Sequence, residues 1–419
     1  MPNKNPARRR RAYLPLAAAV SVIASLAACS SSGNSSQPAN TGSGQASGAP
    51  IVFGTISATG AGTEAADVLA LPGMKAAVSA INAAGGINGR PLQMAFCDTH
   101  GNVNDAAECA TKFASDKSVV ATVGNDVFGG NQQIDSVLKA AGVASIGPDV
   151  TFTSDYDDPL VYPVHAGAVA SFSGGIALLA AKGYKNIAAA CYQVPAVPPA
   201  LAFTKDTILP KFPGAKLVGT QFLPPTTTDT SSYAAALIAS HPDGIFESAG
   251  TLTVPLAMSL RQQGYTGPIV MSSAVTSPSQ VEQMGGSAGQ ILLNSNTAHS
   301  GPGWNQYQAD LNKYQSSAAA GVGDGALWDW MAVQLFAHVL KELKGSPTRA
   351  SIVSALNSLS DYNTGGLTPT VNFIKPATVP GYSQLFNPVV YGLTYSNGAF
   401  KDIQPLTYIN MFTGQSSES

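Results

Sequence analysis

Few residues in this chain are placed to do covalent or metal chemistry. Cys97 closes one predicted strand and Cys109 lies in the helix after it. That spacing permits a disulfide in an oxidising compartment, which would add about 3 kcal/mol for so short a loop. Cys191 sits inside the apolar run Ile187–Tyr192 and reads as a buried thiol. No Cys-x-x-Cys occurs, so structural zinc is not expected. His100, His165, His241, His299 and His338 are scattered without metal-ligand spacing. Ser173 is followed by Gly174 but has no glycine two residues before it, so the strained elbow of serine hydrolases is missing. No phosphate-gripping glycine loop of the P-loop kind appears either. The expectation is a protein without catalysis, metal or cofactor. Several loops follow apolar strands and lead into helices, Asn125–Gly130 among them. Helix N-termini offer free N–H groups and a positive dipole end, which suits a small anionic group such as a carboxylate.

The elements that position these loops begin with Gly73–Arg90. Met74, Ala77, Val78 and Ile81 recur at helical spacing and predict a helix with one face on a sheet. Gly85 and Gly86 stop it, because glycine takes a left-handed conformation without steric cost. Asn88-Gly89 supplies a turn, and Leu92, Met94 and Phe96 alternate as in a strand. With Ile51–Ile56 upstream, this is a strand–loop–helix–turn–strand unit. A helix over 104–117, the strand Val119–Gly124, a helix ending at Gly142 and the strand Val143–Pro148 continue the alternation. A second series starts near His165, with strands near 186–192, 216–222, 244–248 and 268–272 separated by helices. Trp328, Met331, Leu335, Phe336, Val339 and Leu343 then define the strongest helical stripe. Alternating strand and helix argues for doubly wound parallel sheets, and 419 residues suit two domains. No repeat of solenoid period is present.

A net charge of −2, with only 11% charged residues, leaves no basic field for nucleic acid. The first fifty residues read as an address. Arg8–Arg11 form a basic region and Leu14–Ala27 an apolar one too short for a good membrane span. Leu26-Ala27-Ala28-Cys29 resembles the bacterial lipobox, which implies a signal peptide over 1–28 and lipid attachment at Cys29. Arg10-Arg11-Ala12-Tyr13-Leu14 also resembles a twin-arginine signal, so the export route stays open between the general and twin-arginine systems. Residues 29–50 are rich in Ser, Gly, Ala, Asn and Gln and predict a flexible tether.

Taken together, Ile81–Arg90, Val123-Gly124, Pro148 with Thr151, Lys182–Lys185 and Thr364–Pro369 resemble type I periplasmic solute-binding proteins of ABC importers, in the branched-chain amino acid group. The resemblance implies two Rossmann-like α/β lobes joined by three crossover segments, expected near Pro163, Leu293 and Thr364. Lobe 1 would then comprise 51–163 and 294–364, lobe 2 would comprise 164–293 and 365–405, and 406–419 would be a tail. It implies an amino-acid-like small molecule held between the lobes, hinge closure, and a permease in the cytoplasmic membrane as partner. A lipid-anchored monomer on the extracytoplasmic face is expected. Carried across, the ligand contacts are Asn125, Asp126, Phe128, Asp149, Thr151 and, from the second lobe, Thr251. Thr151 matches a threonine that holds the ligand's ammonium and carboxylate.

The chain also departs from the pattern. Phe128 stands where a small hydroxyl residue is common, Ala66 and Val197 where relatives carry tyrosines, and Ala274 where they carry a glutamate for the ammonium. Asp149 can replace that glutamate from the other lobe, with Asp126 and Glu247 as further candidates. These changes point to a ligand bulkier or less zwitterionic than leucine, with Phe128 as an apolar or stacking wall. A ligand sensor with the same fold, regulating a membrane partner, is the rival reading.

Overall fold

The computed structural model describes residues 46–59, 65–127, 129–288, 290–319, 321–375 and 377–418. Cys29, the segment 1–28, most of the tether and Phe128 lie outside them. The first sheet is all parallel: β1 (Ile51–Ser57), β2 (Leu92–Asp98), β3 (Val119–Val123), β4 (Ser145–Ile146) and β5 (Val161–Tyr162), in the order β2-β1-β3-β4-β5. The second holds β6 (Asn186–Tyr192), β7 (Lys216–Leu223), β8 (Gly244–Ser248), β9 (Ile269–Ser272) and β10 (Ile291–Ser295), in the order β7-β6-β8-β9-β10. Both lobes therefore share one strand order. In each, the winding reverses beside the first strand, which opens a crevice at the carboxyl ends of β1 and β3 and of β6 and β8.

Helix α1 (Ala65–Ala83) starts earlier than its sequence pattern predicts, so Gly73 is interior to it. The reason is packing: a Cβ on Gly73 would lie 1.6 Å from the Ala326 carbonyl oxygen. After α1, Gly85 and Gly86 have φ of 99° and 70°, and Asn88 and Gly89 have φ of 51° and 80°, the paired positive values of a tight hairpin turn. The last residues of the expected tether are tied to that turn. Ser47 and Gly48 donate their N–H groups to the Gly89 carbonyl, and Arg90 Nε donates to the Ala49 carbonyl at 2.7 Å.

The remaining helices are α2 (Val103–Ser115), α3 (Asn131–Ala140), α4 (Thr153–Asp157), α5 (Gly167–Ala181), α6 (Val197–Phe203), α7 (Ser231–Ala239), α8 (Thr253–Gln262), α9 (Pro278–Glu282), α10 (Gly301–Tyr314), α11 (Asp324–Glu342) and α12 (Arg349–Asn357). In lobe 1, α1, α10 and α11 cover one face through Phe53, Met74, Met331 and Phe336, and α2 and α3 cover the other through Ile56, Phe113 and Leu138. In lobe 2, α5 and α6 take one face and α7 and α8 the other. Cys97 and Cys109 are joined, with S–S at 2.00 Å. Cys191 is a free thiol that burial pushes up to about 12.

Three expected boundaries need correction. Leu293 is buried within β10, which runs to Ser295 in the second sheet, so the second crossing follows Ser295 and residues 294–295 belong to lobe 2. Leu367, Val371 and Phe373 are buried in the lobe 1 core, so the third crossing comes after Phe373 and not near Thr364. Residues 406–419 are not a tail. After β11 (Val389–Ser396) and β12 (Ala399–Asp402), β13 (Thr407–Asn410) and β14 (Ser416–Glu418) extend the second sheet antiparallel to their neighbours. Among the described residues, no helix is long and apolar enough to cross a membrane.

Candidate functional site

At the carboxyl end of β3, Gly124 has φ of 59° and takes the chain sharply out of the sheet. Asn125 then fixes the loop. Its Oδ1 accepts from Ile56 N at 3.0 Å, and its Nδ2 donates to Thr122 Oγ1 at 3.0 Å and Ser145 Oγ at 3.1 Å. Its carbonyl accepts from Asp149 N at 2.9 Å, which ties the loops after β3 and β4 together. Asn125 is thus a positioning residue whose side chain is fully used within the lobe. Thr151 is buried; its hydroxyl donates to backbone carbonyls, 3.2 Å to that of Asp149, and its N–H donates to Asp155 Oδ2 at 2.7 Å. Asp155 also accepts from Phe152 N and Asn131 Nδ2. In this conformation Asp155 occupies the donor groups that the family match gives to a ligand. Its place three residues into a helix opened by Thr151-Phe152-Thr153 is the sequence signal for it.

The open chemistry at this edge is carboxylic. Asp126 is buried, and Asp149 keeps part of its surface open while its Oδ1 is shut from solvent without a hydrogen-bond partner. Asp329 of α11 arrives from the helical layer, close enough that a Cβ on Gly124 would lie 2.6 Å from its Oδ1. Burial raises the Asp149 and Asp329 carboxyls well above the ordinary range; the nearby Asp126 charge adds to both. Holding their protons, these carboxyls both donate and accept hydrogen bonds, and a cationic or N–H-donating group brought against them would favour their ionised form.

In lobe 2, Ser248 and Ser272 close β8 and β9, and Thr276 follows; all three hydroxyls are buried without partners. Thr251 is exposed on the turn Gly250–Leu252, which approaches α1 of the other lobe. Glu247 lies elsewhere. Its register neighbours Ala190 and Met271 belong to the core beneath α7 and α8, so its carboxyl is inside lobe 2, where burial raises it despite the Arg261 charge. Val197 is fully buried and Ala274 is half-buried.

Sequence reasoning missed the residues around the first two crossings. His165 stacks on Trp328 at 4.4 Å and its Nδ1 accepts from Gly167 N at 3.1 Å, which leaves Nε2 as the protonated nitrogen. Burial lowers His165 to about 3, against the pull of Asp324. The Trp328 indole N–H and His165 Nε2 are both buried and unpartnered. Asp324 opens α11 in lobe 1, yet it accepts from Ser273 Oγ and Ser295 Oγ of lobe 2, each at 2.5 Å, and from His299 Nε2 at 2.8 Å. Burial works to raise this carboxyl, but the His299 charge and these hydrogen bonds outweigh it and hold it below its ordinary value. The available signal was two acids, Asp324 and Asp329, on a helix otherwise read as an apolar stripe. No group of three or more His, Cys, Asp or Glu among the described residues is placed to hold a metal ion.

A family model described as periplasmic binding protein matches residues 28–380. No match was found among curated protein sequences. Among solved structures, an ABC transporter substrate-binding protein from Sphaerobacter thermophilus superposes with a TM-score of 0.72 at 16% identity, covering 87% of this chain and 98% of its own. A solute-binding protein from R. palustris in complex with 4-hydroxybenzoate gives 0.70 at 16% identity, with 84% and 96% covered. A leucine-binding protein from Thermotoga maritima gives 0.66 at 16%, with 84% and 97% covered. At these identities the likeness establishes the fold and leaves the ligand open.

Proposed function

The chain belongs to the periplasmic binding protein family, and from that premise we propose that it is the extracytoplasmic substrate-binding component of an ABC importer. In this reading Cys29 carries a lipid anchor, the cleft between the lobes captures an amino-acid-like or related small molecule, and a permease receives the closed form. One observation supports it best. Buried polar groups without partners gather at the carboxyl ends of strands in both lobes: Ser57 and Asp149 on one side, Ser248, Ser272 and Thr276 on the other. Leaving such a group unpaired costs roughly 1–3 kcal/mol, so their presence at the strand ends of both lobes favours a polar small molecule as their partner.

The matched solved proteins carry names that refer to leucine and to 4-hydroxybenzoate, so the fold by itself does not specify the cargo. Here Asp149 and Asp329 favour a ligand that turns an ammonium or amide N–H toward lobe 1. The test is a thermal-shift screen against amino acids, amides, ureas, amines and aromatic acids, since a ligand that binds only the folded form raises the melting temperature. The expected hit carries a donor group, and its shift disappears in Asp149→Ala. Tight leucine binding that is unchanged in that variant would overturn the assignment of the ligand, and a null across the panel would count against the small-molecule reading itself. Lipid attachment is checked by mass spectrometry of the N-terminal peptide, with Cys29→Ala as control.

A further inference from the structure

A cavity of about 300 Å³ lies between the lobes beside the second crossing. It is separate from the strand-end crevices, because none of the residues 124–127, 149–151 or 248–252 lines it. Lobe 1 contributes Trp304 and Tyr307 from α10 and Asp324 from α11; lobe 2 contributes Glu282 from α9 and Phe400 from β12; His299 comes from the crossing. Two carboxyl groups line the cavity, and no lysine or arginine among the described residues does.

We propose that this cavity binds an organic cation whose charge is wrapped in carbon, an alkylated or quaternary ammonium group. The aromatic rings supply the recognition. His299 stacks on Trp304 at 4.3 Å and 13°, which fixes the indole in place. Trp304 and Tyr307 are inclined at 49° with centroids 5.6 Å apart, and the ring of Phe400 is 6.5 Å from that of His299. Aromatic rings that line one small volume attract a cation through the negative quadrupoles of their faces. A bulky ammonium suits them better than a bare one, because its alkyl shell fills an apolar cavity without needing hydrogen bonds. Asp324 is held by two serines and by His299, whose charge offsets its own, so it does not bond the ligand directly. Glu282 is exposed and adds negative charge at the rim. The volume lies at the small end for ligand pockets and suits a group the size of trimethylammonium. Because both lobes wall the cavity, its occupant favours the arrangement in which they meet, and so couples to ligand capture in the crevices.

The test is titration calorimetry on the full chain with choline, tetramethylammonium and 3,3-dimethyl-1-butanol, the neutral carbon isostere of choline. Choline is expected to bind about tenfold or more tightly than the isostere. Trp304→Ala should weaken choline by about tenfold and Trp304→Phe by less. If Trp304→Ala fails to fold, Glu282→Gln at the exposed rim should still weaken choline by about threefold with an unchanged melting temperature. Asp149→Asn, which alters the strand-end crevice and not the cavity lining, should leave choline affinity within about twofold when no crevice ligand is present. Equal affinity for the isostere would overturn the proposal, as would absence of binding by either cation at millimolar concentration. Choline binding that is lost in Asp149→Asn but kept in Trp304→Ala would also overturn it, by placing the cation in the crevice.

Discussion

Asp149 is the residue at which electrostatics and function meet. Its carboxyl is raised first by burial and then by the charges of Asp126 and Asp155, so in the folded protein it holds its proton above the ordinary carboxylate value of about 3.9. The sign follows from linkage. Below about pH 3.9 the carboxyl is protonated in both states and its contribution is fully present; as pH rises toward the folded value, the unfolded chain gives up the proton first and stability falls. Asp149→Asn removes that loss. The variant should match the parent at pH 4 and exceed it at pH 8, by roughly 1–3 kcal/mol if ionisation leaves the group uncompensated. Melting temperatures from pH 4 to 8 check this, and parallel curves for the two proteins would refute it. The same site shows what sequence can and cannot supply. Asn125, Asp126, Asp149 and Thr151 fall on loops after apolar strands, and that pattern is local. Which of their polar groups remain open depends on partners. Asp155 takes the Thr151 N–H, and Asn125 is spent on three strands. Trp328, Asp324 and Asp329 come from a helix nearly two hundred residues further along, whose apolar periodicity hides them.

Element by element, local signals carried much of the fold. Gly85 and Gly86 end α1 with positive φ, and Asn88-Gly89 makes the turn into β2. What sequence left open was how elements approach each other. Gly73 reads as a helix boundary, yet it admits the backbone of α11. The strands β13 and β14 are four and three residues long, too short for alternation to register; β13 forms on the edge of β11, and β14 on the edge of β13. Arg349 is another contact of this kind. From the first turn of α12 its guanidinium donates to the carbonyls of Phe113, Ala114, Asp116, Val119 and Ala141. It thereby closes the carboxyl ends of α2 and α3 against the start of β3, where carbonyls lack helical partners and the dipole end favours a cation. Methionine fills similar space without donors. Arg349→Met should cost roughly 2–4 kcal/mol, read as a lower urea midpoint. Arg349→Lys should recover only part of it, because an ammonium cannot reproduce the planar fork. A midpoint unchanged in both variants would mean that the network adds nothing to packing.

At the scale of the whole molecule, the proposed capture cycle has two lobes with the same strand order meet and separate about the crossings. Asp324 is placed to bias that equilibrium. It belongs to lobe 1 through α11, but three of its hydrogen bonds go to lobe 2 and to the crossing. Those bonds are made in the arrangement described here. Swinging the lobes apart would expose a carboxylate that is now buried and fully partnered, while water would compensate it only in part. In that proposed cycle Asp324 stabilises the arrangement in which the lobes meet. Any ligand that binds the closed form inherits this bias, since apparent affinity scales with the population of the competent state. Asp324→Asn keeps the size and removes the charge that holds His299, Ser273 and Ser295. It should raise the apparent Kd of the crevice ligand by about tenfold, corresponding to about 1.4 kcal/mol of closure free energy, with a smaller effect on the melting temperature of the ligand-free protein. Ser273→Ala with Ser295→Ala should move affinity in the same direction, because those hydroxyls are the lobe 2 half of the contact. Calorimetry with the crevice ligand and melting of the ligand-free protein separate the two effects. A variant that loses stability but keeps its Kd would make Asp324 a packing residue, whereas lost affinity with preserved stability would place the control of capture at this one carboxylate.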